Sequence, residues 1–199
     1  MAFSILTVCT GNVCRSPLAE RLLRMRLPAD PPFEIASAGV AALAGRPMDE
    51  GSASALREWG GEPAGHAARA LTGAMVEEAD LVLTADTEQR IRVVRETPGA
   101  FRRVFTLREF ARLGNGLPPE APPSSGLDLR VRVTQVAAQR GVVDPAAPGE
   151  DDIADPFRAP LDVARACAAR IAAAVNDVAA VLGLTAAPLA GLNSPRSGG

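Results

Sequence analysis

The chain has 199 residues, of which 47% are hydrophobic, and a formal net charge of −2 at pH 7. That length is enough for one domain with a full core, and the weak net charge argues against a nucleic-acid partner. No apolar run approaches the ~18 residues of a membrane-spanning helix, so we expect no membrane association. The apolar run near the N-terminus is short and follows no basic segment, so we also expect no signal peptide. Three cysteines in a chain of this size favour a reducing, cytoplasmic location.

Apolar runs and amphipathic segments alternate along the chain. The runs predict strands over residues 3–8, 33–37, 80–84 and 102–106. The amphipathic segments predict helices over residues 17–27, 49–59, 73–78, 87–95, 107–112 and 161–182. This alternation is typical of an α/β fold with three layers, α/β/α, around a central four-stranded parallel sheet. In such folds ligands bind at the carboxyl ends of the strands.

The loop after the first predicted strand carries a thiol and a guanidinium, Cys9 and Arg15, six positions apart. Backbone N–H groups of a loop that enters a helix converge on an anion, so we expect a phosphate-binding loop that takes phosphate-like oxyanions. Arg15 adds a planar fork for two phosphate oxygens, and the same positive field favours a thiolate at Cys9. A thiolate under a bound phosphate can attack phosphorus and form a thiophosphoryl intermediate.

The other residues of this loop are predicted to support the same chemistry. Ser16 can donate a hydrogen bond to the thiolate. Gly11 allows a close approach of the backbone to the ligand, and Asn12 tolerates a positive φ. The predicted substrate-binding residues of the loop are Thr10, Gly11, Asn12, Val13, Cys14 and Ser16.

At these residues the chain resembles a known family. The segment from Val8 to Pro17 is similar to the signature of the low-molecular-weight protein tyrosine phosphatases, in which a cysteine, five residues and Arg-Ser stand near the start of a small α/β domain. Segments 37–39, 79–83 and 104–107 resemble further landmarks of that family. The Lys-free, Ala-, Gly- and Pro-rich composition suggests a GC-rich bacterial genome.

The resemblance implies a cytoplasmic hydrolase that acts on a phosphorylated protein without a cofactor, as a monomer or weak dimer. It implies that Cys9 is the nucleophile, that Arg15 holds the transition state and that an Asp is the general acid and then the general base. Asp155-Pro156-Phe157 resembles the family's late Asp-Pro-aromatic motif, so we expect Asp155 to have this role rather than Asp144, which also precedes a proline. We expect Phe157 to bind the substrate ring; the alternative is that it packs the loop onto the core.

Two further cysteines, the histidine and one aspartate are additional candidates for a role near the site. In the family, a cysteine beside the nucleophile can form a reversible disulfide with it, and Cys14 is the candidate for this redox role. Cys167 is expected in the core or at its boundary, and His66, the only histidine, is expected to be structural or at the surface rather than catalytic. Asp86, after the third predicted strand, is expected mainly as a helix N-cap; the alternative is that it contacts the loop. A single His without a CxxC or HExxH motif leaves no metal site to expect.

The substrate remains open between alternatives. The family implies phosphotyrosine as the main expectation. Thr10 resembles the residue of the family's arginine-specific branch, so phosphoarginine is the alternative. Arsenate reductases share this fold, but the chain has no cysteine between Cys14 and Cys167 to relay electrons, so we expect this third activity least.

Residues 113–150 depart from the family pattern. Many members reach the Asp-Pro loop in fewer residues, whereas here a Gly- and Pro-rich stretch precedes an additional predicted helix over 127–140. One hypothesis is that this insertion overhangs the active site and selects protein substrates; the alternative is that it lies on a remote face. We expect residues 1–184 to form a single domain and residues 185–199 to be a disordered tail.

Overall fold

A computed structural model describes residues 2–29, 32–118 and 122–184, so the predicted tail at 185–199 lies outside the described residues. Within them four strands form one sheet: β1 (Phe3–Cys9), β2 (Phe33–Gly39), β3 (Leu81–Thr84) and β4 (Val104–Thr106). All pairings are parallel and the strand order is β2-β1-β3-β4. The chain order therefore reverses between β1 and β3, and the crevice beyond their carboxyl ends is where such sheets bind ligands.

Seven α-helices and one short 3₁₀-helix connect and cover the described strands. The α-helices are α1 (Arg15–Arg26), α2 (Glu50–Glu58), α3 (Gly73–Glu78), α4 (Thr87–Glu96), α5 (Leu107–Gly114), α6 (Gly126–Ala138) and α7 (Leu161–Val181). The 3₁₀-helix, Pro98–Arg103, replaces the first two residues of the fourth predicted strand. Pro98 explains its start, because a proline at the first helical position has the required φ and lacks only an N–H that no helix would use.

Alternate residues of the strands enter two separate cores. Phe3 and Ile5 of β1 pack with Leu22 of α1 and Val175 of α7 on one face of the sheet. Leu6 and Val8 of β1 pack with Val76 of α3 and Val93 of α4 on the other face. This alternation follows from the two-residue period of a strand. The predicted three-layer α/β/α fold with a central parallel sheet is confirmed.

The additional helix of the insertion does not overhang the end of the sheet that carries Cys9. On α6, Arg130 binds Asp80, just before β3, and the carbonyl of Ala2, just before β1. These are the amino ends of the strands, opposite Cys9. Leu129, Val133 and Val136 of α6 complete the larger core there. The expectation that the insertion overhangs the active site therefore does not hold for its helix, because the partners of Arg130 place α6 at the far end of the sheet.

In the part of the chain that the structure describes, no helix is long and apolar enough to span a lipid bilayer.

Candidate active site

The predicted phosphate-binding loop runs from the last residue of β1 to the first residue of α1. Cys9 ends the strand, and α1 begins at Arg15 with Cys14 as its N-cap. Both are buried, Cys9 with 2% and Arg15 with 4% of its surface exposed. The loop therefore places a thiol and a cation beside the N-terminus of a helix, where free N–H groups and the helix dipole favour an anion.

The sulfur of Cys9 has two polar neighbours that can stabilise a thiolate. The Oγ of Ser16 lies 3.0 Å from Sγ, and the backbone N–H of Asn12 donates to Sγ at 3.3 Å. The amide of Asn12 also donates to Ser16 Oγ at 2.9 Å. Because that bond occupies a lone pair of the hydroxyl, the proton of Ser16 is left to donate to Cys9 or to the carbonyl of Ala38 at 3.3 Å.

Asn12 determines the shape of the loop. Its φ is +55°, a left-handed conformation in which Asn is one of the tolerated residues, and it is fully buried. Its amide donates to Ser37 Oγ at 3.0 Å and accepts from the N–H of Arg69 at 2.9 Å. The Nε2 of His66 lies 2.7 Å from the carbonyl of Asn12, and because a carbonyl only accepts, Nε2 carries the proton. The imidazole of His66 therefore supports the loop.

Arg15 connects the loop to two carboxylates. Its Nη1 donates to Asp86 Oδ2 at 2.8 Å and to the carbonyl of Ile153 at 3.0 Å, and its Nη2 donates to Asp155 Oδ2 at 3.0 Å. Burial lowers the pKa of this guanidinium, but the charges of Asp155, Cys9 and Asp86 outweigh that effect and raise it above its usual value. The Nε of Arg15 is buried and has no partner among the described residues. An arginine with an unsatisfied buried donor is suited to bind an oxyanion.

The Asp155 loop is attached to the same end of the sheet. The N–H of Ile153 donates to the carbonyl of Ala85, just after β3, at 2.9 Å. Asp152 accepts from the backbone and the hydroxyl of Thr87 at 2.8 and 2.7 Å, which orients the loop. The structure thus brings Asp155 to Arg15, whereas Asp144 is exposed and lies eleven residues earlier, after α6.

A cavity of about 160 Å³ opens over Cys9. It is lined by Cys9, Thr10, Gly11, Val13, Cys14, Ala41, Leu43, Asp155 and Phe157. Phe157 is 39% exposed and forms one wall, and the guanidinium of Arg158 lies 5.1 Å from the centre of its ring. A cation is thus stacked on this aromatic wall. A larger cavity of about 1000 Å³ lies along the edge strand β2, away from these residues.

The chain also matches a known protein family. The family model described as "Low molecular weight phosphotyrosine protein phosphatase" matches residues 4–116. The chain belongs to this family. Its match ends two residues after α5 and thus before the insertion helix.

Individual members of the family resemble longer parts of the chain. A probable low molecular weight protein-tyrosine-phosphatase, AmsI of Erwinia amylovora, is 41% identical over 142 residues, which are 71% of this chain and 96% of AmsI. The YwlE arginine phosphatase of Geobacillus stearothermophilus superposes with a TM-score of 0.65 and 29% identity over 89% of this chain and 90% of YwlE. The tyrosine phosphatase Wzb of Escherichia coli K30, solved with sulphate, superposes with a TM-score of 0.62 and 25% identity over 88% and 95% of the two chains.

In this family member, sequence reasoning missed one residue at the site and undervalued another. Asp86 and Gln89 form a capping box at the start of α4. Asp86 was expected mainly as a helix cap, yet its second oxygen also binds Arg15. Gln89, which was not singled out, donates from Nε2 to Thr10 Oγ1 at 3.1 Å. The signal was the spacing Asp86-x-x-Gln89 directly after β3, at the sheet end that carries Cys9.

The two other cysteines of this phosphatase-family chain are buried thiols. Burial, with the nearby charge of Asp49, raises the pKa of the Cys14 thiol to about 12. Burial also raises the pKa of the Cys167 thiol to about 12, and Cys167 packs in the larger core. Across residues 2–29, 32–118 and 122–184, no three His, Cys, Asp or Glu side chains cluster as metal ligands would.

Proposed function

We propose that this chain is a cytoplasmic protein-tyrosine phosphatase that hydrolyses phosphotyrosine through a cysteinyl-phosphate intermediate. The observation that carries the proposal is the buried Cys9 thiol beside Ser16 and the Asn12 N–H, under an arginine with an unpartnered Nε. The names of AmsI and Wzb, both tyrosine phosphatases, support the substrate class. The proposed partner is a phosphorylated protein, and the proposed oligomeric state is a monomer or weak dimer.

In the first proposed step, the substrate phosphate binds the loop N–H groups and the Nε and Nη2 of Arg15. The phosphate thereby displaces Asp155, which now bonds to Nη2. The thiolate of Cys9 attacks phosphorus, the phosphorus–oxygen bond to the leaving group breaks, and Asp155 protonates the leaving oxygen. Arg15 and the loop amides stabilise the charge of the transition state.

In the second proposed step, the Asp155 carboxylate removes a proton from water, and the resulting hydroxide attacks phosphorus. The sulfur–phosphorus bond breaks, and Cys9 leaves as a thiolate. Ser16 Oγ and the Asn12 N–H stabilise this thiolate, because both already lie within 3.3 Å of the sulfur. The products are phosphate and the free thiolate, so the cycle is complete without a cofactor.

The test is turnover of a small aryl phosphate and a phosphotyrosine peptide by two variants. Cys9→Ser should abolish turnover and leave inorganic phosphate binding measurable by calorimetry, because the cradle is intact. Asp155→Asn should slow substrates with poor leaving groups by about 10²–10⁴-fold, the usual contribution of a general acid. Asp144→Asn is the matched control, since it also precedes a proline. A silent Asp155→Asn with a slow Asp144→Asn would show that the wrong acid was chosen.

A second candidate function is hydrolysis of phosphoarginine. The Thr10 hydroxyl stands next to the nucleophile and lines the cavity, and the YwlE structure is that of an arginine phosphatase. Comparing kcat/KM for phosphotyrosine and phosphoarginine peptides, in the wild type and in Thr10→Ile, separates the two candidates. A phosphoarginine preference that collapses in Thr10→Ile would favour the second candidate, whereas a phosphotyrosine preference that persists in Thr10→Ile would favour the first.

We also propose that Cys14 protects the nucleophile. Peroxide would convert the Cys9 thiolate to a sulfenic acid with loss of hydroxide, and Cys14 would then attack that sulfur and release water, giving a disulfide. Because burial raises the pKa of Cys14 to about 12, its attack should be slow at neutral pH. After peroxide treatment, a thiol reductant should restore the wild type and fail to restore Cys14→Ala.

A further inference from the structure

Gln89 stands beside the proposed pocket without lining it. It lies in the first turn of α4, has 3% of its surface exposed, and is held by the capping box with Asp86. Its Nε2 donates to the hydroxyl of Thr10, the residue that follows Cys9. Buried polar side chains are normally placed by the bonds they make, so these contacts determine what Gln89 can do.

The amide of Gln89 has only one orientation that satisfies its neighbours. Its Oε1 accepts from the N–H of Ala85 at 3.0 Å and from the N–H of Asp86 at 3.3 Å. Both neighbours are donors, so the oxygen must face them, and the NH₂ group must face Thr10. The flipped amide would place its hydrogens against two N–H groups and its oxygen against Thr10.

The fixed amide in turn determines whether the Thr10 hydroxyl donates or accepts a hydrogen bond toward the pocket. A hydroxyl has one proton and two lone pairs, and one lone pair accepts from Gln89. Within the described residues Thr10 Oγ1 donates to no partner, and Thr10 is exposed at the cavity. Its proton is therefore available to a substrate atom that accepts a hydrogen bond.

We propose that Gln89 is a specificity-determining positioning residue that keeps Thr10 a hydrogen-bond donor toward the substrate. A donor suits an aryl phosphate ester, whose bridging oxygen accepts a hydrogen bond. It suits a phosphoarginine less, because the nitrogens of the guanidinium next to phosphorus carry N–H groups and need acceptors. This inference rests on the proposed phosphatase function and concerns the selectivity of the same site.

The decisive variant is Gln89→Glu. A Glu side chain keeps the oxygen that accepts from Ala85 and Asp86, so the helix cap is preserved. Its second oxygen replaces the NH₂ group and can only accept, so Thr10 must turn its proton toward it and present lone pairs to the pocket. Gln89→Met has similar length and removes the donor without adding a charge.

The measurement is the ratio of kcat/KM for a phosphoarginine peptide to that for a phosphotyrosine peptide of the same sequence, at neutral pH. We expect the ratio to rise about 5- to 10-fold in Gln89→Glu, the scale of one hydrogen bond, and in the same direction by a smaller factor in Gln89→Met. Thermal unfolding of each variant separates a change in selectivity from a loss of folded protein.

Thr10→Val provides the matched background, because it keeps the shape of Thr10 and removes the hydroxyl. In that background Gln89→Glu should change the ratio less than about twofold. A ratio that is unchanged in both Gln89 variants, or that changes equally with Thr10→Val, would overturn the inference while aryl phosphatase activity stands. Absence of Cys9-dependent turnover of both peptides would overturn the proposed function and this inference with it.

Discussion

At the residue scale, the proposed phosphate-binding loop is shaped by contacts from the neighbouring strand as much as by its own residues. Asn12 bridges to Ser37 of β2, and Ser16 lies 3.3 Å from the carbonyl of Ala38. Gly39, which ends β2, pairs with Cys9. The backbone of the loop therefore lies directly against the end of β2. The absence of a side chain at Gly39 allows this close approach.

Gly39→Ala should distort the loop without touching the substrate. A Cβ at Gly39 would lie 2.6 Å from the carbonyl oxygen of Thr10 and 3.0 Å from the nitrogen of Asn12, both backbone atoms that cannot rotate away. Because a displacement of this order at a reacting group is costly, we expect kcat/KM for an aryl phosphate to fall about 10²-fold. Steady-state kinetics on purified folded protein measures this.

The matched control is Gly99→Ala in the 3₁₀-helix, where a Cβ would meet nothing within 4 Å. We expect its kcat/KM to stay within about twofold of the wild type, as for an ordinary surface substitution. Equal activities of the two variants would contradict the close contact between β2 and the loop.

The residues predicted from the loop's own sequence are brought together because the chemistry is local there. Cys9, Arg15 and Ser16 are within seven positions of one another, and a strand–loop–helix unit constrains them strongly. Gln89 could not be found this way, because its contact with Thr10 spans 79 positions and depends on which strands are neighbours. Predicting this contact would have required knowing both that β1 and β3 are neighbours in the sheet and that Asp86 and Gln89 form a capping box.

At the element scale, one helix start serves two parts of the site. The capping box of α4 holds Arg15 through Asp86 and Thr10 through Gln89. A cap normally satisfies only the free N–H groups of its helix. Here each member of the box also bonds to the neighbouring loop through its other polar atom. The direction in which α4 begins is therefore coupled to the positions of Arg15 and Thr10.

A second charged residue, besides Arg130, attaches the insertion to the rest of the domain. Arg140, just after α6, donates to Glu109 at 2.9 Å and to the carbonyls of Phe101 and Val104 at 2.8 and 2.7 Å. Its guanidinium also lies 4.1 Å from the centre of the Phe105 ring. Arg140 thus covers the start of β4 and gives the carbonyl of Phe101 a hydrogen bond that solvent would otherwise have to provide.

Arg140→Met should therefore destabilise the whole domain. It removes one of the two cations that pair with the nearly buried Glu109, the other being Arg90, and it leaves the carbonyl of Phe101 to find a new partner. We expect the free energy of unfolding to fall by about 2–4 kcal/mol, as when a buried pair loses one member. Urea denaturation at equilibrium measures it.

Arg92→Met is the control for that variant. Arg92 pairs with Glu96 one turn along α4, and both side chains are about half exposed. An exposed i,i+4 pair contributes only about 0.3–0.5 kcal/mol, so we expect little change. A loss in Arg140→Met as small as that in Arg92→Met would mean that Arg140 does not help to hold the insertion on the domain.

At the scale of the whole molecule, the two ends of the sheet have different roles: one carries the candidate site and the other is closed by the insertion helix. The carboxyl ends of β1 and β3 carry Cys9 and the Asp86 loop, as the parallel alternation of strands and helices predicted. The amino ends are closed by α6, which the sequence predicted as a helix and could not place. The apolar residues of α6 could pack against any uncovered part of the core. The end of the sheet at which α6 packs is determined by the partners of its charged residues.

One of those partners, Asp80, should affect how the stability of the domain changes at acid pH. Arg130 of α6 donates to both oxygens of Asp80 at 2.6 and 3.0 Å, and the N–H of Ser4 donates at 3.0 Å. Burial raises the pKa of this carboxyl, but the hydrogen bonds from Arg130 and Ser4 outweigh that effect and lower the pKa below its usual value. A carboxyl with a lowered pKa in the folded state stabilises the fold above its unfolded pKa of about 3.9. That stabilisation is lost as the pH falls through the folded value.

Asp80→Asn should accordingly flatten the stability profile below about pH 4, because the variant has no proton to take up there. Equilibrium urea denaturation across that range should show a smaller loss per pH unit than in the wild type. Arg130→Met removes the same pair from the other side, so the double variant should be no flatter than Asp80→Asn alone. An additive double variant, or a profile of Asp80→Asn parallel to the wild type, would mean that this ion pair does not link the insertion helix to the sheet.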